Sequence, residues 1–206
     1  MSKRTPARSP VPASFVFLAA VVGCGGDARS TDARVGLDTG PPSMARVRAS
    51  WQVRCDALGD CAANPVRTLD ATNGVDGARV ECDVTMVGEE RRFELRLEQG
   101  TDFGIAVTGA TTGPTGGRLG GSSCSVDVLE SAEMLSLRGQ CSANPPTPEI
   151  PCQIQRIMVD PTTRTVSAEL RCVGLGTIDG TGLVREVTGP ASSSAFVVLE
   201  LSGCDV

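Results

Sequence analysis

The stretch from residue 152 to residue 172, CQIQRIMVDPTTRTVSAELRC, is the clearest structural signal in the chain. Apolar and polar residues alternate on both sides of Pro161-Thr162-Thr163, which is typical of two strands joined by a turn. We predict a hairpin of strands 152–160 and 164–172 that sets Asp160 opposite Arg164. Its further opposite pairs are Met158–Val166, Arg156–Ala168, Ile154–Leu170 and Cys152–Cys172.

The two cysteines of this hairpin predict a disulfide bond across it. Directly opposite residues have Cβ atoms roughly 4.5–5.5 Å apart, which is close to what a disulfide needs. We therefore expect a Cys152–Cys172 bond, contributing about 2–4 kcal/mol. Arg156 falls on the apolar face, and the register does not explain it.

A second hairpin is predicted between residues 82 and 97. Pairing Met86 with Phe93, Val84 with Leu95 and Cys82 with Leu97 closes a turn at Glu89-Glu90, beside Gly88. The side chains at the outward positions are then charged, as expected for a sheet with one face exposed to solvent. Charged residues also form the tip of this hairpin. Exposure to solvent explains them, and contact with a protein partner is the alternative explanation.

Short period-2 segments recur along residues 44–206, and no long apolar stripe has a period of 3.6. This pattern predicts an all-β domain, an antiparallel disulfide-linked β-sandwich. The alternative is two related halves, about 44–128 and 129–206. The predicted strands are Ala45–Cys55, Val66–Asp70, Ala78–Val87, Arg91–Leu97, Phe103–Thr108, Arg118–Leu129, Met134–Cys141, Cys152–Asp160, Thr165–Val173, Leu183–Val187 and Ala195–Leu201.

The N-terminus carries the features of an export signal. Lys3, Arg4 and Arg8 precede a run from Ala13 to Val22 that is apolar except for Ser14 and too short for a permanent membrane span. Val21-Val22-Gly23-Cys24 then resembles the lipobox of bacterial lipoproteins. The resemblance implies that residues 1–23 are a signal peptide, that Cys24 is acylated, and that the lipid bilayer is a partner. The alternative is a plain secretory signal with a cysteine nearby.

Residues 24–43 are predicted to be the lipidated cysteine and a disordered, flexible tether. They are rich in Gly, Asp, Ser, Thr and Pro, and they would span about 70 Å when fully extended. Gly25 stands where an aspartate in enterobacterial lipoproteins would suggest inner-membrane retention. By analogy we expect a lipid anchor in the outer membrane, on its periplasmic or its surface face.

Eight cysteines remain after Cys24, and an even number in an exported chain indicates disulfide bonds. A soft-metal site is the rival interpretation, but the spacings contain no Cys-x2-Cys. If the domain is a duplication, the first four of these cysteines correspond in order to the last four. By analogy with the predicted hairpin bond, this correspondence suggests the bonds Cys61–Cys82, Cys55–Cys124 and Cys141–Cys204. A conflicting match aligns Cys61-Ala-Ala-Asn-Pro65 with Cys141-Ser-Ala-Asn-Pro145, so duplication remains an open alternative.

Composition excludes several function classes. The chain contains no histidine, which excludes Ser-His-Asp and Cys-His catalysis and any His-ligated metal site. Beyond residue 23 it carries 16 basic and 24 acidic residues, a formal charge of −8, which argues against nucleic acid as a partner. No tyrosine and a single tryptophan weaken a carbohydrate role, since sugar sites usually stack rings on aromatic side chains.

Three further segments favour ordinary structural explanations. The region from Gly109 to Ser123 lacks the Gly-Lys-Ser/Thr ending of a phosphate loop and is predicted to connect strands flexibly. The Asp70–Gly77 segment has oxygen ligands of the kind that bind calcium, but it lacks the regular acid spacing of a calcium loop. We therefore predict that it is a turn. Trp51 alternates with Val53 and Cys55 and is assigned to the core.

These features together predict a lipid-anchored envelope protein with a non-catalytic structural or protein-binding domain and no cofactor. Its partner would be an envelope or surface protein. The alternatives are a carboxylate-only hydrolase of glycosidase type and a small-ligand-binding lipoprotein.

Overall fold

The computed structural model describes residues 44–55, 64–120, 124–131, 134–180, 182–192 and 195–206. The described part is all-β, and it contains no α-helix. Its strands are β1 (Arg46–Cys55), β2 (Arg67–Thr72), β3 (Ala78–Val87), β4 (Glu90–Gln99), β5 (Phe103–Thr112), β6 (Gly116–Gly117), β7 (Cys124–Glu130), β8 (Leu135–Ser142), β9 (Cys152–Asp160), β10 (Thr165–Thr177), β11 (Val184–Thr188) and β12 (Val197–Ser202).

The alternation of apolar and polar residues locates every predicted strand. β3 and β9 have the predicted bounds, and most other ends move by a few residues. The largest difference is the predicted strand Arg118–Leu129, of which only the part from Cys124 is a long strand. No helix in the described ranges is long and apolar enough to cross a bilayer.

The strands form one hydrogen-bonded sheet in the order β11-β1-β12-β10-β9-β8-β7-β5-β4-β3, with β2 beside β1 and β6 beside β9. β11 and β12 occupy the same gap between β1 and β10. β12 pairs with residues 46–50 of β1 and 165–170 of β10, whereas β11 pairs with residues 52–55 and 172–176. The two short strands therefore act as one interrupted strand.

The sheet is mixed, so the expectation of a purely antiparallel sheet is wrong. β8 and β9 run parallel, with Cys141 opposite Cys152 and Ser142 opposite Gln153. The connecting segment, residues 143–151, holds four prolines. Proline lacks a backbone N–H and fixes φ, which disfavours a tight antiparallel turn here.

The β9–β10 hairpin contains a β-bulge that corrects its predicted register. Ile154 faces Leu170 as predicted, but Arg156 faces Glu169 and Ile157 faces Ala168. Gln155 is therefore the extra residue on β9. The bulge turns Ile157 into the core and Arg156 towards solvent, where its guanidinium lies 2.7 Å from Glu169. Asp160 consequently faces Thr165, not Arg164.

The β3–β4 hairpin differs from prediction by two residues. Val84 faces Phe93, Cys82 faces Leu95, and the turn is Gly88-Glu89. Gly88 has a φ of 64°, which suits the first central position of a tight hairpin turn. A shift of two residues keeps each side chain on its predicted face, since the strand period is two.

One apolar core joins residues from both ends of the strand order. Trp51 and Val53 of β1 belong to it together with Phe93 of β4 and Leu137 of β8, all 0% exposed. The ring of Trp51 packs edge-on against Phe103, with ring centroids 5.7 Å apart. The assignment of Trp51 to the core is therefore confirmed.

Three disulfide bonds are described: Cys82–Cys204, Cys124–Cys141 and Cys152–Cys172. The predicted Cys152–Cys172 bond is confirmed. The pairings Cys61–Cys82, Cys55–Cys124 and Cys141–Cys204 are wrong, because one or both cysteines in each bond elsewhere. Cys55 is disulfide-bonded as well, and Cys24 and Cys61 lie outside the described residues.

The topology explains the unexpected Cys82–Cys204 bond. After β12 the chain reaches the free edge of β3, where the Val84 N–H donates to the Asp205 carbonyl (2.7 Å) and the Asp205 N–H donates to the Cys82 carbonyl (3.0 Å). These backbone bonds bring Cys204 beside Cys82. They also cover part of an edge that would otherwise be open to pairing.

Candidate functional site

Strands β2, β1, β12, β10 and β9 turn alternate side chains away from the core, and these line up in rows across the sheet. One row contains Asp70, Arg48, Glu200, Ser167 and Met158. The next row contains Thr72, Arg46, Ser202, Thr165 and Asp160. The rows place small hydroxyl side chains on β10 between longer side chains on β1 and β9.

The difference in side-chain length forms a groove along β12 and β10, which we call the outer groove. It encloses about 560 Å³. Ser167, Thr165 and Ser202 form its floor, Arg46 and Arg48 form one wall, and Met158 and Asp160 form the other. Hydroxyl groups on the floor can both donate and accept hydrogen bonds.

A second depression of about 460 Å³ continues the outer groove at its apolar end. Val198, Phe196 and Pro190 line it, and it shares Arg48 and Glu200 with the first. The Arg171 guanidinium lies 5.3 Å from the centroid of the Phe196 ring, which holds that ring by a cation–π contact. Val198 is 42% exposed and Met158 is 53% exposed, so both offer apolar surface to a ligand.

The carboxylates around the outer groove differ in what they bind. Asp70 accepts hydrogen bonds from Arg46 (2.8 Å) and Arg48 (3.5 Å), and the Arg46 hydrogen bond is the main cause that lowers its pKa. The pKa of Asp160 is also lowered, chiefly because the Thr163 hydroxyl and the backbone N–H groups of Thr163 and Thr162 donate to it. The Glu200 carboxylate makes no hydrogen bond or ion pair with any described residue.

A buried ion pair lies on the opposite, core-facing side of β2. Arg67 donates two hydrogen bonds to Glu130, whose side chain is 0% exposed, and the Glu130 hydrogen bond raises the pKa of Arg67. The Arg67 guanidinium also lies 5.2 Å from the centroid of the Phe103 ring. Trp51, opposite Arg67 in the β1–β2 register, is buried with an Nε1 that has no hydrogen-bond partner among the described residues.

The segment Asp70–Gly77, which has calcium-type oxygen ligands, forms the end of β2 and the turn before β3. Asp70 is held by two arginines, and the Asn73 Oδ1 accepts from the Val80 N–H (3.0 Å). Two of the candidate oxygen ligands are therefore engaged in protein contacts. Within the described ranges, no group of three metal-ligating side chains comes together.

The predicted flexible connection after Gly109 is partly strand. β5 continues to Thr112, with Gly109 as the extra residue of a bulge against β4. Gly116 and Gly117 then pair with Met158 and Ile157 at the rim of the outer groove. A Cβ added at Gly116 would lie 2.5 Å from the Ile157 carbonyl oxygen, which explains the glycine at this position.

Among the residues that the structure describes, one carboxyl group has a raised pKa, and it lies away from the outer groove. Partial desolvation raises the pKa of Asp83, an exposed residue on β3, and the negative charges of Asp205, Glu81 and Glu94 add to the effect. Asp83 lies on an exposed strand beside Asp205, which is itself paired with Arg164 at 2.8 Å.

The sequence did not predict the outer groove, because its rows depend on which strands become neighbours. β1, β10 and β12 are remote in sequence and adjacent in the sheet. A local signal exists: Thr165 and Ser167, the first outward positions of β10, carry hydroxyl groups where the outward positions of β4 carry charges. That signal alone does not reveal the arginines of β1.

Comparisons with protein-family models, with curated proteins and with solved structures find no match to this chain.

Proposed function

We propose that the protein is an exported lipoprotein of the bacterial cell envelope, anchored through an acylated Cys24 and acting by binding a protein partner without catalysis. The lipobox-like Val21-Val22-Gly23-Cys24 supports the anchor, and the disulfide bonds are consistent with an oxidising compartment. The outer membrane is the destination that we propose, from the glycine after Cys24.

The anchor has a direct test. Wild-type protein should incorporate labelled palmitate and partition into detergent, because two or more acyl chains give stable membrane attachment. Cys24→Ser should incorporate none and remain in the aqueous phase, whereas Gly25→Ala should behave as wild type. Equal labelling of Cys24→Ser and wild type would contradict the proposal.

We also propose that the strands pack as a β-sandwich. Arg67 of β2 binds Glu130 of β7, although these strands are not neighbours in the sheet. Trp51 of β1 packs on Phe103 of β5 in the same way. Both contacts support two faces of strands enclosing one core.

The outer groove carries the binding proposal. It runs along β12 from Ser202 to Phe196, roughly 20 Å at about 3.3 Å per residue. That length fits about six residues of an extended chain. The Glu200 carboxylate in the middle of the groove has no hydrogen-bond or ion-pair partner among the described residues, and Val198 and Met158 are exposed beside it. We therefore propose an extended peptide segment of an envelope protein, with a basic residue for Glu200 and apolar neighbours.

Crosslinking inside cells tests this occupant. A photoreactive amino acid at position 167, on the groove floor, should give a defined protein adduct, whereas one at exposed position 136 on β8 should not. Glu200→Arg should reduce the adduct at least tenfold, because it places a cation against the partner's basic residue. Glu149→Arg, the same change on a remote exposed loop, should leave the adduct unchanged.

Two outcomes would overturn the binding proposal. One is an adduct of equal yield from positions 167 and 136. The other is an adduct that Glu200→Arg does not affect.

The second candidate function, a carboxylate-only hydrolase, has less support. Such enzymes need two carboxyl groups in one cleft, one of them with a raised pKa. The pKa values of Asp160 in the outer groove and of the nearby Asp70 are lowered, and among the described residues the raised carboxyl pKa belongs to Asp83, outside the groove. Release of reducing sugars from envelope polysaccharides, lost in Glu200→Gln, would favour the hydrolase instead.

A further inference from the structure

Four cysteines form one continuous row across four neighbouring strands. Cys124 of β7 lies opposite Cys141 of β8, Cys141 lies opposite Cys152 of β9, and Cys152 lies opposite Cys172 of β10. The two disulfide bonds Cys124–Cys141 and Cys152–Cys172 are therefore side by side. We call this arrangement the cysteine row.

The middle pair of the cysteine row is as close in register as the two bonded pairs. Neighbouring strands lie about 4.8 Å apart, and disulfides join residues whose Cα atoms are roughly 4.4–6.8 Å apart. All four side chains point into the same core and are at most 3% exposed. Cys141 and Cys152 consequently meet the distance requirement for a bond of their own.

The middle pair also lies at a weakly hydrogen-bonded junction. β8 and β9 share two register pairs, whereas β7 and β8 share seven and β9 and β10 share eight. A covalent bond at Cys141–Cys152 would connect strands that otherwise have little direct pairing. Cys82 and Cys204 lie outside the cysteine row and take no part in it.

We propose that the cysteine row is a disulfide-exchange device, in which removal of one bond moves the other to the middle pair. When local opening at the start of β7 exposes the buried Cys124 sulfur, a dithiol reductant attacks it and breaks the Cys124–Cys141 bond, releasing the Cys141 thiolate. That thiolate attacks the Cys152 sulfur, forms Cys141–Cys152 and releases the Cys172 thiolate. The second thiol of the reductant then frees Cys124.

The reaction balances as a two-electron reduction. Two disulfides and one dithiol give one disulfide, two cysteine thiols and one oxidised reductant. Attack at Cys172 leads to the same product by the mirror-image route. The reduced form therefore carries thiols at both ends of the row, on β7 and β10, and keeps β8 and β9 joined.

Two double variants test the geometry. Cys124→Ser with Cys172→Ser leaves the neighbours Cys141 and Cys152, which should form a disulfide and resist alkylation after unfolding. The matched control, Cys141→Ser with Cys152→Ser, leaves Cys124 and Cys172 at the two ends of the row, three strands apart and roughly 14 Å by strand spacing. These two cysteines should both be alkylated.

Free thiols at Cys141 and Cys152 in the folded first variant would overturn the proposal. So would a Cys124–Cys172 bond in the control, because pairing would then not depend on the native register.

Wild-type protein provides a test that needs no substitution. It is treated with dithiothreitol at pH 8 until the cysteine row has lost one bond, then quenched with acid, alkylated and mapped by peptide mass. The proposal predicts alkylation at Cys124 and Cys172 with an intact Cys141–Cys152 bond. A product alkylated at both members of one native pair, with the other native bond intact, would overturn it.

Discussion

Glu130 is a carboxylate with 0% exposure, and Arg67 carries its opposite charge. Arg67 reaches it from β2 with two hydrogen bonds and rests on the Phe103 ring. Burying a charge is costly unless it is paired and hydrogen-bonded. Removal of one partner therefore leaves an uncompensated charge close to Trp51.

We predict that Glu130→Gln lowers the free energy of unfolding by about 3–5 kcal/mol, because Arg67 is left partly buried without its counter-charge. Glu149→Gln, the same change on an exposed loop, should have little effect. Urea unfolding followed by the fluorescence of Trp51, the single tryptophan, measures both. Equal stability of the two variants would mean that Arg67 finds full solvation without Glu130.

Asp83 makes the stability depend on pH in an unusual direction. Its pKa is raised in the folded protein by partial desolvation and by neighbouring acids, so the folded state binds more protons than the unfolded state just above pH 4. Ionisation of Asp83 therefore destabilises the fold as the pH rises through this window.

We predict that Asp83→Asn raises Tm at pH 7 and that its advantage over wild type disappears at pH 3, where the aspartic acid is protonated in both states. Thermal unfolding at the two pH values checks this. A lower Tm for Asp83→Asn at pH 7 would show instead that the carboxylate is stabilising there.

At the scale of the element, the bulge at Gln155 decides which side of β9 faces the core. Ile157 is 0% exposed, whereas the side chain of Arg156 is 56% exposed and paired with Glu169. A regular hairpin would exchange their roles.

We predict that Ile157→Ala lowers the free energy of unfolding by about 2–5 kcal/mol, because it opens a cavity in the core. Arg156→Ala should cost less than about 1 kcal/mol, since it removes only an exposed ion pair. Urea unfolding of both variants compares them directly. The reverse order of effects would support the regular register.

The same hairpin shows what the sequence can and cannot predict. Alternation located β9 and β10 and placed Cys152 opposite Cys172, because side chains on a strand repeat every two residues. The sequence did not predict the bulge, because one extra residue shifts the alternation of apolar and polar side chains in only part of the strand. Arg156 on an apolar face was the visible sign of that change.

At the scale of the whole molecule, prediction from sequence was limited by contacts between remote segments. The Cys82–Cys204 bond requires that β12 lie between β1 and β10 and that the chain then reach β3. The outer groove requires the same placement of β12, since Glu200 and Ser202 come from it. No local pattern around residues 82 or 204 contains that information.

We predict that the Cys82–Cys204 bond contributes more stability than Cys124–Cys141. The cysteines of the first bond are 122 residues apart in sequence and those of the second 17. Closing loops of these sizes restricts the unfolded chain by about 5 and about 3 kcal/mol. Urea unfolding of the two paired Cys→Ser variants, without reductant, should show the larger loss for the Cys82/Cys204 variant. Equal losses would show that loop size is not the dominant effect.

The interrupted strand formed by β11 and β12 has a consequence for biosynthesis. β1 emerges early from the ribosome, yet its neighbours across the sheet are made roughly 150 residues later at Val197–Ser202. Until β11 and β12 have been made, the chain can pair β1 only with β2 and must leave its other edge open. Such long-range pairing slows folding. The sheet can therefore close only after translation has passed residue 202, and until then the open edge of β1 is available to chaperones.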